Sequence, residues 1–347
     1  MNIDYRPLSM VVTEKEILSY KILNNDHKFY LRIDKKYIIG ALIVAAVVSL
    51  IVSLLYEYGF ALVIGSIFYV GPVIAIAFIV YGIQIYNWTT YIRLHTFAVV
   101  NGFTIQNIIY SPPYKGLIFD IGGSRMASNV LSSTKPMTFQ IGNYSYVIGS
   151  GDDRTTYSYG FVVIQLDRNL PHMVLDSKKN NSKVFGVSFS NLPVSFDKDQ
   201  VLSLEGDFNN YFTLYAPEKY KSDALYVFSP DLMALFIDES MSFDAEIIDN
   251  ELYIYSRDTF DVFNIALLQK LFSIVDSVGA KTIHQTSRYK DEKVDKTLVN
   301  QVSDSGLRLK KRFSLSKIIS IVVGIMVIII IAIRLMAIFT DFRINIL

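Results

Sequence analysis

The side chains of this chain that are best suited to acid–base chemistry lie in one acidic stretch. Its seven carboxylates are Asp231, Asp238, Glu239, Asp244, Glu246, Asp249 and Glu251. Two carboxylates held close together can act as a general acid and a general base. Strand alternation, however, puts Asp244 and Glu246 on the side opposite their apolar neighbours. We therefore expect these two carboxylates to face solvent, with no catalytic role.

The histidines show no spacing that is typical of a metal site. They are His27, His95, His172 and His284. Zinc and iron sites usually have paired ligands such as His-Glu-x-x-His, and this sequence has no such pair. Cysteine is absent, which excludes disulfides, thiolate ligands and cysteine nucleophiles. We predict no metal and no other cofactor, and interpret the histidines as isolated surface or core residues.

Other catalytic motifs are missing or lack their context. There is no Gly-x-x-x-x-Gly-Lys-Ser/Thr loop and no Gly-x-Ser-x-Gly elbow. Ser-x-x-Lys occurs at Ser132/Lys135 and at Ser314/Lys317, without companion motifs. Whether the protein is an enzyme stays uncertain, and the lack of a recognised motif favours a non-enzymatic role. The net charge of +1 predicts no nucleic-acid partner.

The long middle part of the chain is predicted to form mainly β-strands, and these strands must position its polar side chains. Met137–Ile148 alternates between apolar and polar residues and is followed by the turn 149–153 and a second run, Thr155–Leu166. This pattern predicts a β-hairpin. Phe243–Ile248 and Glu251–Ser256 predict another hairpin across Asp249-Asn250. Shorter strands are predicted at Gly116–Ile121, His172–Leu175 and Ala224–Phe228, among others.

Three segments have helix signals. Thr13 and Glu16 form a capping-box pattern ahead of a short helix. Ser229-Pro230-Asp231 predicts the start of a second helix. Thr259 to Val278 has one apolar face and is the longest predicted soluble helix, ended by Gly279. The polar residues that follow, Lys281 to Leu307, predict a flexible tether.

Three long apolar runs are the most prominent feature of the whole chain: Tyr37–Tyr56, Phe60–Ile83 and Ile318–Phe339. A helix of 20 residues is about 30 Å long, which matches the hydrocarbon core of a bilayer. The hydrophobic content of 51% agrees with this reading. The predicted fold class is therefore a membrane α-helical anchor of three spans plus an α+β, β-rich soluble domain with antiparallel hairpins.

Basic residues that flank these runs predict the orientation of the chain, because cytoplasmic flanks are rich in Lys and Arg. The topogenic residues on the domain side include Arg32, Lys35, Lys36, Lys310, Lys311, Arg312 and Lys317, and Trp88 is assigned to an aromatic belt at the same interface. We therefore predict a multi-pass plasma (inner) membrane protein of bacterial type. Its N-terminus and main domain are predicted to be cytoplasmic, and its C-terminus external.

Six segments follow from these patterns. They are a cytoplasmic N-terminal segment (1–36), a two-span transmembrane hairpin (37–85), a cytoplasmic α+β domain (86–280), a polar tether with a basic end (281–317), a third transmembrane helix (318–339) and a short external tail (340–347).

One stretch resembles a known family. The motif Leu204-Glu205-Gly206-Asp207-Phe208 is followed by Phe212, by Leu225–Pro230 and by Leu252-Tyr253-Ile254. It is similar to a family of uncharacterised bacterial membrane proteins with an N-terminal two-span hairpin and a cytoplasmic β-rich domain of unknown function. The resemblance implies architecture but no catalytic residue. A ligand-binding role for Glu205 and Asp207 is a speculative alternative to a simple turn.

These observations predict an integral membrane protein that presents a cytoplasmic interaction or scaffold domain at the membrane surface. Its expected partners are the lipid bilayer and either another protein or a second copy of the chain. The alternative is a membrane-anchored enzyme or ligand sensor with its site in the α+β domain near Glu205–Asp207.

Overall fold

The computed structural model describes residues 1–23, 39–40, 43–44, 46–48, 50–51, 59–184, 187–190, 192–295, 300–312 and 326. It contains two compact units, Asn2–Ile105 and Gln106–Leu347, with Met1 assigned to the second. Of the predicted apolar runs, Tyr37–Tyr56 and Ile318–Phe339 lie largely outside the described residues. So do Arg32, Lys35, Lys36 and Lys317.

Among these described residues, no helix combines the length and the apolar character needed to cross a bilayer. The predicted three-span anchor is therefore wrong. The prediction of a multi-pass plasma-membrane protein with a cytoplasmic domain and an external C-terminus is wrong with it, as are both membrane-based functions. The run Phe60–Ile83 is part of one helix that continues through the polar residues Gln84, Asn87 and Arg93 to Val100. The apolar run is therefore only one part of a longer helix.

Two helices with defined bounds lie in the described part of the first unit. Helix α1, Glu14–Leu23, begins at the predicted capping box, where the backbone N–H of Thr13 donates to Glu16 Oε2 at 2.7 Å. The N–H of Glu16 donates back to Thr13 Oγ1 at 3.3 Å, so this prediction is confirmed. Helix α2, Gly59–Val100, packs Trp88 and Ile92 against Ile17 of α1. Trp88, predicted to lie in an aromatic belt, is buried in this cluster.

The second unit is built on a seven-stranded sheet. The order is β1-β2-β3-β4-β9-β8, and β10 also pairs with β4. The strands of this sheet are β1 Thr104–Tyr110, β2 Gly123–Ser133, β3 Phe139–Ile148, β4 Thr155–Ser177, β8 Val201–Leu202, β9 Phe212–Tyr215 and β10 Asp244–Ser256. Two small sheets pair β5 Ser182–Val184 with β6 Val187–Phe189, and β7 Ser195–Phe196 with β11 Lys311–Arg312. Every pair whose register is described is antiparallel.

The predicted first hairpin is confirmed, because β3 and β4 pair from Phe139↔Ile164 to Ile148↔Thr155. The predicted second hairpin is wrong. Asp244–Ser256 is one strand that pairs along β4, with irregularities on both sides of Asp249. Asp249 has a φ of 54°, so the Asp-Asn signal marks a local bend within one strand and not a reversal of the chain.

Helices cover one face of this sheet. They are α3 Phe208–Tyr211, α4 Lys221–Val227, α5 Pro230–Ser240, α6 Ile265–Ile274 and α7 Ala280–Thr286; a further short helix, α8 Asp304–Leu307, belongs to the C-terminal segment described below. The predicted proline-led helix is α5, and the strand predicted at Ala224–Phe228 is wrong because α4 occupies it. Gly279 does not end its helix: the chain continues through a π turn, Val275–Gly279, into α7. A Cβ on Gly279 would lie 2.7 Å from Ile164 Cδ1, so this glycine allows close packing on β4.

The other face of the sheet is covered by two segments with little regular structure. The first is residues 111–122, which we call the covering loop. The second is residues 300–312, which we call the C-terminal strap. Both contribute to one aromatic-rich core with the sheet, the loop through Leu117, Ile118 and Phe119 and the strap through Leu309. Gly116–Ile121, predicted as a strand, is part of this loop.

Candidate functional site

A buried histidine–glutamate pair lies where the covering loop and the strap meet above the sheet. His172 of β4 and Glu246 of β10 are 3% and 1% exposed. His172 Nε2 and Glu246 Oε1 are 2.7 Å apart. Burial of such groups is costly unless each one finds hydrogen-bond partners, so the remaining contacts of the pair decide what it can do.

Glu246 accepts two further hydrogen bonds. The backbone N–H of Leu117 in the covering loop donates to Glu246 Oε2 at 2.9 Å. The hydroxyl of Tyr255 donates to the same oxygen in a close contact. Burial, followed by the charge of Glu246, raises the pKa of Tyr255 well above its ordinary value, so this hydroxyl stays a proton donor. Three polar groups therefore converge on one carboxylate, two at Oε2 and one at Oε1.

The strap determines the tautomer of His172. The backbone N–H of Leu309 donates to His172 Nδ1 at 3.0 Å. A backbone N–H can only donate, so Nδ1 accepts and the ring proton lies on Nε2, from where it donates to Glu246 Oε1. Both ring nitrogens are therefore engaged. His172 links the strap to the sheet, and Glu246 links the covering loop to it.

Gly116 lets the covering loop approach Glu246 closely. Its φ is 108°, which is strongly unfavourable for residues with a side chain. A Cβ at this position would overlap with Glu246 Oε2. Three residues further on, Phe119 is almost fully buried among aromatic rings of the loop and sheet. Its ring centroid lies 4.6 to 5.9 Å from those of Tyr114, Tyr144, Phe161, Tyr253 and Tyr255.

Polar side chains of the domain anchor the strap along its length. The amide of Gln200 forms two hydrogen bonds with the backbone of Lys310, at 2.7 and 2.9 Å. Asn169 donates twice to Asn300, from its backbone N–H to Oδ1 at 2.7 Å and from its side-chain Nδ2 to the backbone carbonyl at 2.6 Å. The predicted flexible tether therefore includes helix α7 and residues that are tied to the sheet by specific hydrogen bonds.

Between the covering loop and the strap, a cleft of about 230 Å³ opens above the histidine–glutamate pair. Its lining residues come from the loop (Gly116, Leu117, Asp120), the sheet (His172, Glu246, Ile248) and the strap (Arg308, Leu309, Lys311). Glu246 has no exposed side-chain surface. The charged side chains that a ligand can reach are therefore the cations Arg308 and Lys311 and the carboxylate of Asp120.

Arg308 is held at the cleft by Asp249. Its Nη1 donates to Asp249 Oδ1 at 2.8 Å, and Lys115 Nζ donates to Asp249 Oδ2 at 2.7 Å. Burial acts to raise the pKa of Asp249, but the hydrogen bonds from Arg308 and Lys115 outweigh it and lower the pKa below its usual value of 3.8. Asp249 thus ties the strap to the covering loop through two cations.

This lowered pKa gives a pH-dependent prediction. The contribution of Asp249 to stability is present above pH 3.8 and is lost as the pH falls through the lowered folded value. We expect Asp249→Asn to reduce the free energy of unfolding by about 1 kcal/mol at most at pH 7, since the pair is partly exposed. The difference from wild type should shrink at pH 3. Urea unfolding at both pH values, with Asp120→Asn as control, tests this; a difference that grows on acidification would contradict it.

Within the described part of the chain, the site residues predicted from the sequence lie outside the cleft, with the exception of Lys311. Glu205 and Asp207 are exposed in the turn before α3, and neither lines the cleft. Asp207 precedes the helix without a side-chain capping bond. Lys310 and Lys311, predicted as topogenic residues, are exposed in the strap, and Arg312 follows them in β11.

Two carboxylates that were expected to face solvent are buried. Asp244 and Glu246 are 4% and 1% exposed, so that prediction is wrong. The reason is that β10 pairs along β4 and is covered on both faces, whereas the prediction assumed a hairpin with one solvated face. The available signal was the run His172–Leu175, whose apolar residues do not alternate with polar ones, as expected for a strand buried on both faces.

Comparison with known proteins adds little to this geometry. No protein family and no curated protein matches the chain. Among solved structures, the chain is similar to the mycobacterial trehalose monomycolate transport factor A, TtfA, with 11% identity and a TM-score of 0.35, over 55% of this chain and 89% of that chain. A similarity at this level supports no statement about function. The resemblance based on Leu204–Phe208 stays a prediction.

Proposed function

We propose that the sheet domain binds a small anionic ligand in the cleft between the covering loop and the strap. The observation that carries this proposal is the charge of the accessible wall. Arg308 and Lys311 both line the cleft, opposed by the single exposed carboxylate of Asp120. Guanidinium and ammonium groups are the side chains that recognise carboxylates and phosphates in proteins.

Arg308 is well prepared for such a contact. Its guanidinium is oriented by Asp249 through Nη1 and, at 3.4 Å, through Nη2. A guanidinium has five N–H donors, so this arrangement leaves further donors for a ligand. Because the side chain is already held in place, binding costs less conformational entropy than it would for a free arginine.

The volume of the cleft limits the ligand to a small molecule or a small group of a larger one. Drug-sized ligands occupy pockets of roughly 300–1,000 Å³, and this cleft has about 230 Å³. A phosphate or a small carboxylic acid fits this space. The shared chemistry is a compact anion with several acceptor oxygens.

The hydrogen bonds of the floor favour binding over acid–base catalysis at His172. A general base needs a nitrogen free to accept a proton from the substrate. Both nitrogens of His172 are committed, one to Leu309 and one to Glu246. The pair instead supports a rigid floor that keeps the loop and the strap at a constant separation.

Lys311→Ala should weaken binding of a small anion. Loss of one hydrogen bond to a charged group costs about 1.5–3 kcal/mol, so the dissociation constant should rise roughly 10- to 100-fold. The measurement is calorimetric titration of the full chain with citrate and, separately, inorganic phosphate at constant ionic strength. Lys310→Ala is the matched control, because Lys310 is equally exposed on the strap but does not line the cleft.

Two results would contradict the proposal. One is the absence of saturable binding by either anion to the wild-type chain. The other is binding that Lys311→Ala and Lys310→Ala weaken equally, since general electrostatic attraction does not distinguish neighbouring lysines.

A further inference from the structure

Strand β1 forms one edge of the seven-stranded sheet and lacks the features that usually protect such an edge. Its sequence, Thr-Ile-Gln-Asn-Ile-Ile-Tyr, has no charged residue and no proline. Natural proteins discourage pairing at exposed edges with lysine, proline, bulges or very short strands. At another edge of the sheet, β8 has only two residues. The β1 edge is therefore open to pairing with another strand.

The backbone groups of β1 that face away from the sheet can be identified. The N–H of Ser111 donates to the carbonyl of Arg125 in β2 at 2.9 Å. Peptide groups alternate in direction along a strand, so those of Gln106, Ile108 and Tyr110 point outward. Among the described strands β1 pairs only with β2, and the turn and loop hydrogen bonds of the described residues do not involve these three residues.

The side chains of the same residues form an exposed strip with apolar character. Ile108 and Tyr110 are 38% and 69% exposed, while the intervening Ile109 packs on the core. Exposed β-branched and aromatic residues on neighbouring strands stabilise each other as cross-strand pairs. This strip therefore gains contacts if a second strand is added at the edge.

We propose that two copies of the chain associate by antiparallel pairing of β1 about a twofold axis at Ile108. In this register Ile108 lies opposite Ile108 of the second copy, and Gln106 lies opposite Tyr110. All three positions have outward backbone groups, so each opposing pair exchanges N–H···O bonds. The absence of charge in β1 means that no like charges meet, and a twofold interface requires this kind of self-complementarity.

A single cysteine tests the register, because the chain has no other cysteine. Directly opposed residues in a hydrogen-bonded pair have Cα atoms about 5.5 Å apart, within disulfide range. Ile108→Cys should therefore give a disulfide-linked dimer on mild oxidation. Asn107→Cys should not, because the two copies of residue 107 are offset along the strand, with Cα atoms roughly 7–8 Å apart.

A charge substitution tests the association itself. In the Ile108→Lys variant two ammonium groups would meet at the twofold axis, so the dimer dissociation constant should rise at least tenfold in analytical ultracentrifugation of the full chain. Ile148→Lys is the control, since Ile148 is similarly exposed, at 44%, but lies outside β1. Circular dichroism verifies that both variants fold. A monomeric wild-type chain, or equal weakening by both lysines, would overturn the proposal.

Discussion

Glu246→Gln should lower the free energy of unfolding by about 3 kcal/mol, although the substitution barely changes the size of the side chain. The carboxylate accepts from His172, Leu117 and Tyr255, and all of these groups are buried. A glutamine presents an NH₂ group in place of one acceptor oxygen, so donors face donors. Hydrogen bonds to a charged group are worth about 1.5–3 kcal/mol each, and a buried donor left without a partner adds its desolvation cost.

Urea unfolding of the full chain measures this effect, with two variants for comparison. Tyr255→Phe removes only one of the three donors and should cost less, about 2 kcal/mol. Glu205→Gln makes the same chemical change at an exposed turn and should stay within about 0.5 kcal/mol of wild type. If Glu246→Gln is as mild as Glu205→Gln, the buried network does not hold the loop and the strap.

Phe119→Ala should destabilise the domain by about 3–5 kcal/mol, the range for truncating a buried phenylalanine. Phe119 is 1% exposed and, with Leu117 and Ile118, joins the covering loop to the core that it shares with the sheet. Its ring contributes edge-to-face and tilted pairs, with Tyr144 the closest at 4.6 Å between centroids. Such pairs add about 0.5–1.5 kcal/mol beyond area burial.

The same variant should also weaken anion binding, because the loop that forms one wall of the cleft loses its anchor. Denaturant unfolding and calorimetry on one preparation measure both effects. Phe119→Leu, which keeps most of the apolar volume, should give a smaller loss of stability and retain binding. A loss below about 1 kcal/mol for Phe119→Ala would show that other contacts hold the covering loop.

Local signals in the sequence were sufficient where neighbouring residues decide the structure. The alternation of Met137–Ile148 and Thr155–Leu166 around a glycine-rich turn predicted the β3–β4 hairpin. Ser229-Pro230 predicted helix α5, and Thr13 with Glu16 predicted the start of α1. In each case the information lies within one element or its immediate flanks.

Signals failed where distant contacts override a local preference. Asp249-Asn250 has the composition of a hairpin turn. The residues before and after it all pair with the same strand, β4, so the chain does not reverse its direction. Gly279 resembles a helix end, whereas its lack of a Cβ serves packing against Ile164. The run Phe60–Ile83 is a larger failure, because hydropathy alone did not show that it is part of a longer helix, Gly59–Val100.

The candidate site could not be predicted from the sequence for the same reason. His172, Glu246 and Leu309 come from three separated parts of the chain, and no spacing rule connects them. Glu246 was recognised as a possible acid or base but was placed on the wrong face of its strand. Lys311 was predicted only as a topogenic residue, because the strap that carries it to the cleft has no regular periodicity.

The most direct test of the proposed cleft is an NMR titration of the full chain with citrate, observed through backbone amides. We expect saturable shifts at Asp120, Arg308 and Lys311, with small changes at the buried Leu117 and Leu309. The amides of Glu205 and Asp207 should not move, since that turn does not line the cleft. Saturable shifts confined to Glu205–Asp207, or no saturable shift at Arg308 and Lys311, would contradict this expectation.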